Sequence, residues 1–197
     1  MALVLGITGG IGSGKSFVSR IFASLGCQVY DSDSRTKQLY DRDHGLLYAL
    51  VEILGDGILK REGKGFCLDR QAMASIIFSD KVLMQRVKDV VYPFVMEDFC
   101  KWKRWKRGVV VFESAVILEN DYVHSFMDKT LVVTAPLELR IQRVMKRDNS
   151  TLEQVRRRLE NQCSDQERIR KADFVMEASG NTDLESAAKK ILEKMKA

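Results

Sequence analysis

The chain has 197 residues, 45% of them hydrophobic and 30% charged, with 13 Gly and only 2 Pro. That length supports one domain with a sizeable core and no disulfide staple, and the composition excludes collagen-like, low-complexity and disordered classes. A net charge of +5 suits an anionic partner: nucleotide, polyphosphate, nucleic acid or acidic lipid.

No apolar run approaches the roughly 20 residues of a membrane span. The start, Met1-Ala-Leu-Val-Leu-Gly6, lacks a signal peptide's basic region and reads as a strand. Cys27, Cys67, Cys100 and Cys163 have neither zinc-ligand nor redox-motif spacing, which predicts four reduced thiols in a cytoplasmic protein. His44 and His124 have no metal-like companions.

Short β-rich runs alternate with helical stretches, the signature of an α/β domain with a parallel sheet. Strands are predicted at 3–8, 27–31, 108–113, 130–134 and 173–177, the third almost wholly apolar, as a strand covered on both faces should be. An amphipathic helix is predicted over 15–25. The stretch 34–107 is too long for a simple crossover and reads as an inserted helical lobe. Its helices are predicted at 69–78 and 81–105, with Pro93 bending the second. A further helical insertion, 150–171, opens with a capping box, Ser150-Thr-Leu-Glu153, and reads as a flap. Another box, Thr182-Asp-Leu-Glu185, starts the last helix.

The strongest chemical signal is Gly9-Gly-Ile-Gly-Ser-Gly-Lys-Ser16, a full match to G-x-x-x-x-G-K-[ST] between a strand and a helix. Glycines let the backbone wrap a phosphate with its N–H groups inward, and the helix start adds about half a positive charge. Lys15 would reach the β/γ-phosphates and Ser16 would bind Mg²⁺. The candidate ATP contacts are Gly10, Ile11, Gly12, Ser13, Gly14, Lys15, Ser16 and Phe17.

Asp31-Ser-Asp33 falls where side chains of a doubly wound sheet face the crevice at the strand ends. Asp33 is the candidate base for an attacking hydroxyl, with Asp31 positioning substrate or metal-bound water. The alternative is that either one caps the next helix. Residues 140–171 hold ten basic and five acidic side chains. Arg140, Arg143 and Arg147 recur at helical spacing on one face, where guanidiniums brought over the phosphates would stabilise the transferring group. The run Arg156-Arg-Arg158 reads as a solvated basic helix. Lys101-Trp-Lys-Arg-Trp-Lys-Arg107 resembles a nucleic-acid stacking surface in composition. Trp102 and Trp105 lie three apart, however, which predicts that both pack inward.

With these residues assembled, the chain closely resembles the dephospho-coenzyme A kinase family nearly end to end. The matching segments are Ile7-Thr-Gly-Gly-Ile-Gly-Ser-Gly-Lys-Ser16, Asp31-Ser-Asp33, Leu68-Asp-Arg70 with Phe78, and Arg143-Val-Met-Lys-Arg-Asp148. Further matches are the region of Arg158 and Gln162, Ala172-Asp-Phe-Val175, and Ser179-Gly180. The resemblance implies a three-layer α/β/α P-loop NTPase fold with a five-stranded parallel sheet, a helical substrate lobe at 34–107 and a lid at 141–171. It implies ATP-dependent phosphorylation of the ribose 3′-hydroxyl of dephospho-coenzyme A, the last step of coenzyme A synthesis, with Mg²⁺. By the same likeness Asp33, Lys15, Arg143 and Arg147 are catalytic, and Asp31, Asp33, Arg70, Tyr92, Glu119 and Arg143 meet the acceptor. The expected partners are small molecules, not nucleic acid or membrane, for a cytoplasmic monomer or weak homo-oligomer. Three positions depart from the family pattern: Tyr92 stands before Pro93 in place of His, Ala115-Val-Ile-Leu-Glu119 in place of Pro-Leu-Leu-x-Glu, and Ala178 in place of Asn. The rivals are another small-molecule kinase, of shikimate or nucleoside-monophosphate type, and a nucleotide-gated nucleic-acid-binding module.

Overall fold

The apolar runs pair into a single parallel sheet. The computed structural model describes residues 2–63, 65–78, 80–160, 162–180 and 183–196. Its strands are β1 (Leu3–Thr8), β2 (Gln28–Asp31), β3 (Leu59–Glu62), β4 (Gly65–Leu68), β5 (Val109–Glu113), β6 (Lys129–Thr134) and β7 (Phe174–Glu177). Five of them form the sheet in the order β2-β5-β1-β6-β7, and β3 and β4 form a separate antiparallel hairpin. β1 is central, with β5 on one side and β6 on the other. The chain leaves β1 towards one sheet edge and later returns on the other side, so the end of β1 is a topological switch point, where such sheets bind ligands.

The sheet is apolar because both faces are covered. Leu5 and Ile7 of β1, Val111 of β5, and Leu131 and Val133 of β6 meet Val18 and Phe22 of α1 (Lys15–Ser24) and the inner stripe of the last helix, Leu184–Lys196. Each such side chain, fully buried, contributes about 1.5–3 kcal/mol. On the opposite face Gly6 leaves room for Met127 and Ile117. Tyr30 of β2 stacks on Phe112 of β5 with ring centroids 5.4 Å apart.

The chain divides into two compact units, Met1–Asp31 with Lys103–Ala197, and Ser32–Trp102. The second begins two residues earlier and ends five earlier than the expected 34–107 lobe. It contains α2 (Ser32–Arg42), α3 (His44–Leu54), the β3–β4 hairpin, α4 (Arg70–Phe78) and most of α5 (Lys81–Lys103). The hairpin was not anticipated within the mostly helical lobe. Its strands are only four residues each and largely solvent-facing: β3, Leu59-Lys-Arg-Glu62, is polar, and β4, Gly65-Phe-Cys-Leu68, is apolar but too short to stand out. α5 continues through Pro93 without interruption. It also stops at Lys103, short of Trp105, so the helical spacing of the tryptophans fails. Trp102 stacks on Phe99, with ring centroids 6.0 Å apart, whereas Trp105 is 83% exposed, with the Arg104 guanidinium over its ring.

After β5 come α6 (Asp121–His124), α7 (Leu137–Asp148), α8 (Leu152–Glu160), α9 (Asp165–Lys171) and α10 (Leu184–Lys196). The helical insertion expected at 150–171 consists of two helices, α8 and α9. The capping box of α8 lies one residue later than expected: Thr151 N–H donates to Gln154 Oε1 at 2.9 Å, and Gln154 N–H donates back to Thr151 Oγ1 at 3.3 Å. α9 has its own box, Ser164 with Glu167. Thr182 lies outside the described residues; beside it, the Asp183 carboxylate accepts from Ser186 N–H at 3.0 Å at the start of α10. All four cysteines are free. Among the described residues no helix is long and apolar enough to cross a membrane.

Candidate active site

Residues 9–14 form the turn between β1 and α1, and Lys15 and Ser16 begin α1. Two glycines shape it: Gly12 has φ +77° and Gly14, the N-cap of α1, has φ +102°, both in the left-handed region that side chains avoid. A Cβ on Gly12 would also lie 2.5 Å from the Arg140 carbonyl oxygen. Gly12→Ala is therefore expected to cost at least about 1–2 kcal/mol from the backbone alone, with the clash in addition. Denaturant unfolding reads this directly, and an unchanged midpoint would refute it.

Lys15 opens α1 and folds over the loop, its ammonium donating to the Gly9 carbonyl at 2.7 Å and the Gly10 carbonyl at 3.4 Å. Ser16 Oγ donates to Glu113 Oε1 at 2.7 Å. Glu113 is the last residue of β5, buried, and in register with Ile7 on one side and Asp31 on the other. A hydroxyl and a carboxylate thus meet at the switch point, two hard oxygen donors of the kind Mg²⁺ prefers. Sequence reasoning missed Glu113, because 97 positions separate it from Ser16 and only the pairing of β1 with β5 joins them. Phe17 is half exposed, with the Arg20 guanidinium 5.9 Å from its ring centre.

The three arginines of α7 do not all turn to the same pocket. Arg143 and Arg147 line the same pocket as Gly12, Gly14, Lys15 and Ser16. Arg143 donates to the carbonyls of Gly12 at 3.3 Å, Ser13 at 3.4 Å and Ala178 at 2.7 Å. Ala178, where the family pattern has Asn, takes part through its backbone, its own N–H donating to the Thr134 carbonyl at 2.8 Å. Arg147 is clasped by Asp148 at 2.7 and 3.1 Å, and Arg158 reaches the same carboxylate at 2.6 Å. Hydrogen bonds from Arg147 and Arg158 hold the Asp148 carboxyl well below the usual carboxylate range. Arg140 instead turns to the back of the loop and is buried there against the Ile11 carbonyl and Asp165. Equal helical phase places three Cα–Cβ bonds on one side; it does not decide where a long side chain goes.

The remaining candidates lie on several elements of both units. Asp31 ends β2 and precedes α2, so the cap position falls to Asp31, while Asp33 is an exposed residue of the helix's first turn. Arg70, at the start of α4, donates to the Lys37 carbonyl at 2.9 Å and pairs with Asp41, all within the second unit. Tyr92 is a half-buried residue of α5. Glu119, a further candidate for the acceptor, pairs with Arg168, which is 1% exposed and would be costly to bury without a carboxylate.

Comparison with known proteins adds the following. The profile of the dephospho-CoA kinase family matches residues 3–183. A dephospho-CoA kinase of Bacteroides fragilis is 34% identical, over 93% of this chain and 88% of its own length. One from Porphyromonas gingivalis is 38% identical, over 83% and 79%. A Thermus thermophilus protein of known crystal structure superposes with a TM-score of 0.82 at 31% identity, covering 98% of this chain and 97% of that one.

Proposed function

This chain belongs to the dephospho-CoA kinase family, whose reaction is the last step of coenzyme A synthesis, and we propose a division of labour among its residues in that reaction. ATP is the phosphoryl donor and the ribose 3′-hydroxyl of dephospho-coenzyme A the acceptor. The observation that carries the reading is the pocket in which Gly12, Gly14, Lys15, Ser16, Arg143 and Arg147 converge at the end of β1.

The amides of the 9–16 loop and the N-terminus of α1 take the triphosphate. Lys15, lifted from the Gly9 and Gly10 carbonyls, binds the terminal phosphate oxygens. Arg143 and Arg147 supply charge to the transferring group; Arg147 must first leave Asp148. Ser16 and Glu113 would hold a Mg²⁺, which neutralises phosphate charge when bound. Asp33 accepts the proton of the attacking hydroxyl, with Asp31 helping to place the acceptor. Arg70 and Tyr92 belong to the acceptor-binding surface of the Ser32–Trp102 unit. Residues 141–171 act as the lid, and the setting is cytoplasmic.

The test is a coupled ATP assay with dephospho-coenzyme A, shikimate and AMP offered in parallel. Turnover with dephospho-coenzyme A exceeding the others by about 10³-fold or more is expected, because a polar site built for one acceptor rejects others strongly. Preferential turnover of shikimate or AMP would replace this reading with a rival kinase.

A further inference from the structure

We propose that Arg140 is a positioning residue for ATP, acting on the backbone of the phosphate loop from behind and held there by Asp165. Ile11, inside the loop, is fastened at both backbone groups by side chains of the 140–171 stretch. Its N–H donates to Gln162 Oε1 at 2.9 Å, and its C=O accepts from Arg140 Nε at 2.9 Å. The Ile11 side chain is buried with Val144 of α7 and Val155 of α8. Arg140 is itself only 6% exposed, and its Nη1 donates to Asp165 Oδ2 at 2.6 Å, at the start of α9. Asp165 also accepts from Arg168 Nη1 at 3.2 Å, and Arg168 in turn pairs with Glu119. The loop is shaped around this guanidinium: a Cβ on Gly10 would lie 2.1 Å from Arg140 Nη2.

The hold has a geometric consequence. The described peptide bonds are trans, and in a planar trans unit the C=O and N–H point in opposite directions. With the Ile11 carbonyl drawn back to Arg140, the Gly12 N–H is turned away from Arg140. Gly12 lines the nucleotide pocket, and Arg140 is not among its lining residues. An amide aimed in this way is what an anion-binding loop requires. Gly12 has no side chain to restrict its own rotation, so the external hold replaces the restraint that a bulkier residue would provide. A buried guanidinium needs a carboxylate partner, and Asp165 is that partner. The seat of α9 is thereby transmitted to the loop as the orientation of one amide.

This inference rests on the 9–16 loop being the ATP site, and the experiment separates the two. Initial rates of the full-length wild type, Arg140→Met, Arg140→Lys and Met195→Ala are measured with ATP and dephospho-coenzyme A varied independently. The temperature is kept well below each variant's thermal midpoint. Arg140→Met is expected to raise KM for ATP by about tenfold or more, the equivalent of one lost charge-assisted hydrogen bond. KM for the acceptor is expected to stay within about twofold. Arg140→Lys keeps the charge, but its single ammonium lacks the fork needed to span both the Ile11 carbonyl and Asp165. It is expected to fold and to raise KM for ATP several-fold. Met195→Ala opens a cavity in the core around α10, and is expected to lower the thermal midpoint without moving KM for ATP. An unchanged KM for ATP in Arg140→Lys overturns the proposal, even where Arg140→Met fails to fold. So does an equal rise in Met195→Ala, which would make the effect one of general stability. A wild type that turns over no ATP would instead overturn the assignment of the loop itself.

Discussion

Asp33→Asn is expected to lower kcat by about 10²–10⁴-fold, the contribution of a positioned general base, while nucleotide affinity stays within about twofold of wild type. Asparagine keeps the shape of the side chain and one carbonyl oxygen, but it cannot take a proton from the 3′-hydroxyl. The fold should tolerate the change. Asp33 is exposed in the first turn of α2, where a carboxylate gains about 0.3–1 kcal/mol from the helix dipole. Loss of that charge is expected to cost about 0.3–1 kcal/mol through the dipole alone. Steady-state turnover, nucleotide titration and a thermal melt together separate the outcomes. Retained turnover in a well-folded variant would remove Asp33 from the base role and turn attention to Asp31, which ends the neighbouring strand in register with Glu113.

The sheet was legible because its physics is local. Its central strands β1, β5 and β6 are buried on both faces and read as apolar runs, the edge strands β2 and β7 are partly exposed, and each of the five was placed within one residue of its observed ends. The phosphate loop was legible for a related reason: its backbone geometry requires glycine at Gly12 and Gly14, so the demand appears in the letters themselves. What escaped notice depends on distant parts of the chain. Glu113 ends an apolar strand, and only the parallel pairing of β5 with β1 brings it to Ser16. Arg140 shares a helical face with Arg143 and Arg147, yet it goes behind the loop because Asp165, 25 positions on, offers it a carboxylate. The β3–β4 hairpin failed for want of pattern, since Leu59-Lys-Arg-Glu62 is polar and mostly exposed. Trp105 failed because the argument from spacing assumed a helix that stops at Lys103.

Lys15→Met is expected to lower kcat by about 10²–10³-fold, the cost of removing one preorganised charge-stabilising donor, and to raise KM for ATP as well. Methionine preserves the unbranched stem and removes the ammonium with its three donors. The same substitution should leave the free protein as stable as before, or slightly more so. Lys15 is the first residue of α1, where the helix dipole presents about half a positive charge. A cation there is disfavoured by the dipole, while the carbonyls of Gly9 and Gly10 are among the groups that stabilise it. A loop whose amides, helix end and lysine all carry the same sign of charge is poorly matched to an empty pocket and well matched to a triphosphate. The paired measurement is turnover against thermal midpoint in the absence of nucleotide. A collapse of turnover with an unchanged or raised midpoint is the expected result. A large fall in the midpoint would mean that Lys15 is retained for folding, and full turnover would mean that the 9–16 loop does not grip the phosphate that moves.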